Sequence, residues 1–224
     1  MARCSRRRRR LGDRAAPPGG GVLLRPASTP HPRRVTDACS HATRAAAEPL
    51  LGTASVGARY VFVSWPKGQW GPKALETEGL APLATWGRAF DARHPGKTVI
   101  RLFAAPADAA SVEARVFPAG LAVRDIPLAE LPSRLDAVFE DLEAGRRPPE
   151  LQPLERTLAV CTHGKHDQCC ARHGQAVFRA LSAEASTLDA AVMETSHLGG
   201  HRFASTLIDF APGAPGRMYG QLTV

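Results

Sequence analysis

The chain has 224 residues with 29 lysines and arginines against 21 acids, a formal charge of +8, yet residues 1–36 hold ten arginines and one acid while residues 37–224 hold 19 basic and 20 acidic side chains. A basic nucleic-acid face across the fold is therefore not expected, and any such contact is confined to the N-terminal tail. Apolar residues make up 44% of the chain, enough for a core, and no run reaches the roughly 18–20 apolar residues of a membrane span, so wholesale disorder and membrane insertion are not expected.

Taken in chain order, residues 1–36 read as a disordered basic tail. Pro17, Pro18, Gly19, Gly20 and Gly21 break any helix, and the run Arg6 to Arg10 repels itself. The arginines are followed by no apolar stretch of a secretory signal. Arg-rich, acid-poor sequence is also the signature of a mitochondrial presequence, but the prolines and glycines spoil a long amphipathic helix. Five cysteines are too few for a secreted disulfide scaffold, so the expected setting is cytoplasmic, with the thiols reduced or acting as ligands.

Folded sequence is expected from Asp37, which can cap a short helix through Cys39, Ala42 and Ala46. Arg59–Ser64 reads as a buried strand closed by a turn at Trp65-Pro66-Lys67-Gly68. Residues 80–93 have helical spacing, and Thr98–Phe103 reads as the next strand. Val112–Phe117 and Leu121–Ile126 read as a hairpin, and Leu131–Glu143 as a helix with Leu135, Val138, Phe139 and Leu142 on one face. The proline-rich stretch from Gly145 marks a linker over 145–156. Then come a strand Thr157–Cys161, a helix Cys170–Leu181, a short strand Ala190–Met193, a strand Phe203–Phe210 and a pairing segment Met218–Leu222. The expected fold is α/β. Residues 37–144 form one unit and 157–224 a second of thioredoxin-like order that echoes the first, so two tandem thioredoxin-like units follow the disordered Arg-rich tail.

The chemistry concentrates in one place. Three of the five cysteines and five of the eight histidines lie within residues 161–201, as Cys161-Thr-His-Gly-Lys-His-Asp-Gln-Cys169-Cys170 and Ser196-His197-Leu-Gly-Gly-His201. Two thiolates and two imidazoles suit zinc or an iron–sulfur cluster. Cys161 ends a predicted strand and Cys170 starts the following helix, where open α/β sheets place ligands and a helix N-terminus favours thiolate. Gly199 and Gly200 argue for a tight loop rather than a helix between His197 and His201. The spacing is not that of a zinc finger, because the first cysteine pair encloses seven or eight residues and 26 separate Cys170 from His197. A vicinal Cys169-Cys170 disulfide would be strained. A cysteine nucleophile with a histidine base is available but leaves the other cysteines and histidines unexplained. His163 and Asp167 read as turn-forming or outer groups, and His173 as a solvated helix residue. Cys39 reads as a packing thiol, and Trp65, Trp70 and Trp86 as core or rim aromatics.

The segment CTHGKHDQCC…ETSHLGGHRFASTL resembles the sucrase/ferredoxin-like family, with its C-T-H-G-x-x-D-x-x-C and S-H-x-G-G-H-x-F-A patterns. Cys39-Ser40, Glu48 to Ala54 and Trp70 to Leu75 fit as well, so the resemblance spans about residues 37–222. It implies a thioredoxin-like [2Fe–2S] ferredoxin with Cys161, Cys170, His197 and His201 as cluster ligands and Cys169 as the alternative to Cys170. It implies no catalytic residue: the expectation is an electron carrier or redox sensor serving a redox partner protein, and nothing in these residues supports a sucrase activity. The non-enzymatic alternative is a zinc-stabilised binding module. The resemblance also implies that relatives normally continue past a strand like Tyr219-Gly220.

Overall fold

The computed structural model describes residues 39–54, 57–106, 111–148 and 151–224; the expected cap Asp37 and the Arg-rich tail lie outside the described residues. The elements run α1 (Cys39–Ala45), β1 (Arg59–Pro66), α2 (Ala81–Arg93), β2 (Thr98–Ala105), β3 (Val112–Phe117), β4 (Leu121–Ile126), α3 (Leu131–Glu143), β5 (Gln152–Pro153), β6 (Thr157–Cys161), α4 (Gln168–Ala183), α5 (Ala185–Leu188), β7 (Ala191–Thr195), β8 (Leu207–Phe210) and β9 (Arg217–Tyr219). One-turn helices follow β1, at Lys67–Gln69 and Ala74–Glu76, and precede β8, at His201–Phe203. The fold is mixed α/β, with five α-helices among the described residues and one nine-stranded mixed sheet ordered β5-β4-β3-β1-β2-β7-β6-β8-β9.

Two halves of that sheet share one plan. In the first, β1 pairs parallel with β2 and antiparallel with β3, and β3 pairs with β4. In the second, β6 pairs parallel with β7 and antiparallel with β8, and β8 pairs with β9. Each parallel pair is joined through a helix, α2 or α4, as a parallel connection requires. The halves meet edge to edge and antiparallel at a short seam, where Phe103 faces Thr195 and the Ser196 N–H donates to the Leu102 carbonyl at 2.8 Å.

Strand alternation sorts the apolar residues onto two faces. Ile100, Leu102, Val61 and Val63 pack under α2 and α3 with Leu83, Trp86, Phe90, Leu135 and Phe139, all buried. On α2 the buried residues recur at helical spacing, and Trp86 Nε1 donates to Asp136 of α3 at 3.0 Å. Leu158, Val160 and Leu207 meet Val177 of α4. The other face carries Phe62, Phe103, Phe117, Ala159, Cys161, Met193, Ile208 and Phe210. Phe117 on β3 and Phe210 on β8 are five strand steps apart, about 24 Å in a flat sheet, yet their rings stack with centroids 4.2 Å apart. The sheet therefore curls on itself, and this second face becomes its interior.

Several boundaries differ from expectation: β2 runs on to Ala105, α4 spans Gln168–Ala183, β7 spans Ala191–Thr195 and β9 spans Arg217–Tyr219, and three further differences bear on the packing. β1 runs on through Trp65 and Pro66, in register with Ala104 and Ala105 of β2 and past its last β3 partner at Val63. The expected linker contributes Leu151 to the core and β5 to the edge of β4, where Pro153 leaves no interior ladder bond unmade. The last apolar run becomes a strand only from Leu207: Gly200, at φ +62°, feeds the one-turn helix that buries Phe203. No helix among the described residues is long and apolar enough to cross a membrane.

Candidate metal centre

Cys161 is fixed from both sides of its strand end. Its N–H donates to the Thr206 carbonyl at 3.0 Å, and the next N–H, of Thr162, donates to the Thr195 carbonyl at 3.1 Å. Asp167 caps α4 by accepting the Cys169 N–H at 2.7 Å, which sets Cys170 in the first turn. Gly174 lets the helix close on the strand: a Cβ there would lie 1.9 Å from the Cys161 carbonyl oxygen. Both thiols are buried. His197, just past β7, turns Nδ1 towards them, 3.5 Å from Cys170 Sγ and 3.8 Å from Cys161 Sγ.

The donor atoms of Cys161, Cys170 and His197 lie within 4.8 Å of one another, and so do those of His166, His197 and His201. His197 belongs to both groups and links the thiols to His201. Gly199, at φ +110°, and Gly200 make the tight loop that carries this link, as their positions in the sequence suggest. Cys169 is buried at the start of α4 but belongs to neither group.

The first half of the chain grips the loop of the second. His163 Nε2 donates to the Gly71 carbonyl at 2.8 Å, and its Nδ1 accepts the His197 N–H at 3.2 Å. Both nitrogens are engaged, so His163 is a neutral Nε2–H tautomer that positions His197 and is not a ligand itself. His166 Nδ1 donates to the Pro72 carbonyl and Lys165 Nζ to the Gly68 carbonyl, each at 2.8 Å. With Nδ1 occupied, His166 keeps Nε2 as a lone-pair donor, and its ring stacks on His197 at 3.8 Å. In the sequence His166 stands between Cys161 and Cys170 with no pattern to set it apart. The carbonyls that orient these histidines lie more than 90 residues away in sequence, and no local pattern announces them.

The thiols differ electrostatically. The hydrogen bond from Cys170 holds Cys161 well below the ordinary thiol range; burial opposes this and His197 adds to it. Cys170 is pushed up, first by that bond to Cys161 and then by burial. Burial lowers His163, more than its bond to Gly71 raises it, and lowers His166 with help from the His197 charge. His173, expected in solvent, is instead half-buried against His41, with ring centroids 5.4 Å apart and Nε2 buried without a hydrogen-bond partner.

Two buried thiols and converging imidazoles on an α/β scaffold make a donor set that could hold a metal ion. The chain belongs to the sucrase/ferredoxin-like family, which matches residues 50–224. Comparison with curated proteins gives no match, and comparison with solved structures gives none.

Proposed function

We propose that this protein holds a [2Fe–2S] cluster through Cys161, Cys170, His197 and His201 and acts as a one-electron carrier or redox sensor rather than an enzyme. The observation that carries this reading is the convergence of Cys161, Cys170 and His197, linked through His197 to His201, in a member of this family. The donor set fits the group: one thiol is already biased towards thiolate, as iron ligation requires, and His197 offers its ring nitrogen to the thiol side. Buried hydroxyls without a partner flank Cys161, on Thr162 beside it in the chain and Thr206 beside it in the sheet. Such a group supplies one-electron chemistry, and two imidazoles in place of two thiolates raise its potential to about −150 to +300 mV, against about −400 mV for plant-type ferredoxins.

The chain's own residues would hold and orient the ligands. His163 fixes the His197 backbone, Asp167 fixes the first turn of α4, and the Gly68–Pro72 loop anchors His163, Lys165 and His166. The two halves read as tandem thioredoxin-like units, 37–144 and 157–224; the identical pairing order in each supports this. The compartment proposed is the cytoplasm and the partner a redox protein, with nucleic acid reached only through residues 1–36. The same donors suit zinc, which would make this a zinc-stabilised binding module. Iron and acid-labile sulfide analysis of anaerobically purified protein separates the two. Two irons and two sulfides per chain with visible absorbance are expected; one zinc, no sulfide and no colour overturns the proposal.

A further inference from the structure

Arg101 is a cation built into the curled sheet with no carboxylate paired to it among the described residues. It lies on β2 on the interior face, paired in register with Phe62 and two residues before Phe103, which shares a cluster with Cys161 and Cys170. The antiparallel seam sets Phe103 opposite Thr195, so following that ladder two residues brings Arg101 level with His197. Its Nη1 donates to its neighbour's carbonyl, Ile100, at 2.8 Å, while Nε is buried with no hydrogen-bond partner. Among the described residues no ion pair is formed by Arg101, whereas Arg115 on the same face is neutralised by Glu113 at 2.6 Å. Burial lowers its pKa, and the charges opposing that are Cys161 first and Tyr60 second, with no carboxylate contributing. A desolvated guanidinium is costly unless an anion lies near it, and the strand register brings this one level with His197 of the metal centre.

We propose that Arg101 is the counter-charge of that centre and favours its reduced state. The inference rests on the [2Fe–2S] reading. Two ferric ions, two sulfides, two thiolates and two neutral imidazoles sum to zero. One electron from an external one-electron donor brings the sum to −1, no covalent bond breaks, and Arg101 remains protonated throughout. A fixed positive charge nearby stabilises the product of that step more than its starting state.

The experiment is a mediated redox titration of the loaded full-length protein, followed by visible bleaching and electron paramagnetic resonance, for wild type, Arg101→Lys, Arg101→Gln and Arg101→Met. Wild-type iron and sulfide content is measured first; their absence defeats the cluster reading and this inference with it. With the cluster present, both neutral variants are expected to favour reduction about tenfold less, a fall of about 59 mV for one electron, while Arg101→Lys stays closer to wild type. Unchanged potentials in the neutral variants overturn the role of Arg101 and leave the cluster reading intact. An equal fall in Arg101→Lys also overturns it, because shape rather than charge would then matter. If the neutral variants fail to load iron, loading by Arg101→Lys alone supports the counter-charge and failure of all three overturns it.

Discussion

His163 shows how much one side chain can decide without touching a metal. Its ring joins the Gly71 carbonyl of one half to the His197 N–H of the other. Replacing it with alanine leaves both groups unpaired in a buried place, at about 1–3 kcal/mol for each. The expected result for His163→Ala is a lower urea midpoint together with metal binding weakened about 10–100-fold, as for other outer-shell changes; wild-type metal affinity would show that His197 needs no such support. Burial also sets a pH dependence. His163 and His173 are lowered in the fold, so the unfolded chain takes up protons around pH 6.5 that the folded chain refuses. Stability is therefore complete above about pH 6.5 and is lost as the pH falls below it. Urea midpoints of metal-free protein at about pH 7.5 and 5.5 test this, with a shallower fall expected in His173→Gln. At this scale the gathering of Cys161 and Cys170 with His197, and of His197 with His201, was legible because cysteine and histidine are rare and clustered. The work of His163 and Arg101 was not, because it depends on partners brought by distant strands.

The elements were legible wherever local periodicity and burial agree. Val112–Phe117, Leu121–Ile126 and Leu131–Glu143 stand where alternation and helical spacing put them. The run Phe203–Phe210 misled because a buried turn and a buried strand both present unbroken apolar residues. Leu151 and β5 were hidden among prolines, which fit an edge strand as well as a linker. The contact that matters most for the site is that of α4 on β6. Gly174→Ala would force a methyl into the Cys161 carbonyl and push the helix off the strand. Overpacking of this kind costs about 1–3 kcal/mol. The expected outcome is a lower thermal midpoint and weaker metal retention in a competition with a chelator, since Cys170 moves with the helix. Retention equal to wild type would mean that the helix need not approach so closely.

At the scale of the whole molecule, closure of the sheet is a tertiary fact that no window of sequence contains. Phe117 and Phe210 meet across it, with Phe62 in edge contact with both. Phe117→Ala is expected to lose about 3–5 kcal/mol, read from chemical denaturation, because the cavity would open in the shared interior. A loss confined to the first half, with the second half melting as before, would mean that the two halves are energetically independent. Deleting residues 1–36 takes the formal net charge from +8 to −1 and is expected to abolish any nucleic-acid retention while leaving the metal content unchanged. Falling metal content on that deletion would tie the tail to the site.

Burial is uneven across the site. Cys161 and Cys170 are sealed, while His166, His197 and His201 keep part of their surface in water. The centre thus has a dry pole of sulfur and a wet pole of nitrogen. Whatever arrives from solution, whether acylating reagent, chelator or docking protein, meets imidazole first. Histidine modification should therefore outrun alkylation of the two thiols in the native state, and that order should reverse only once the fold has opened.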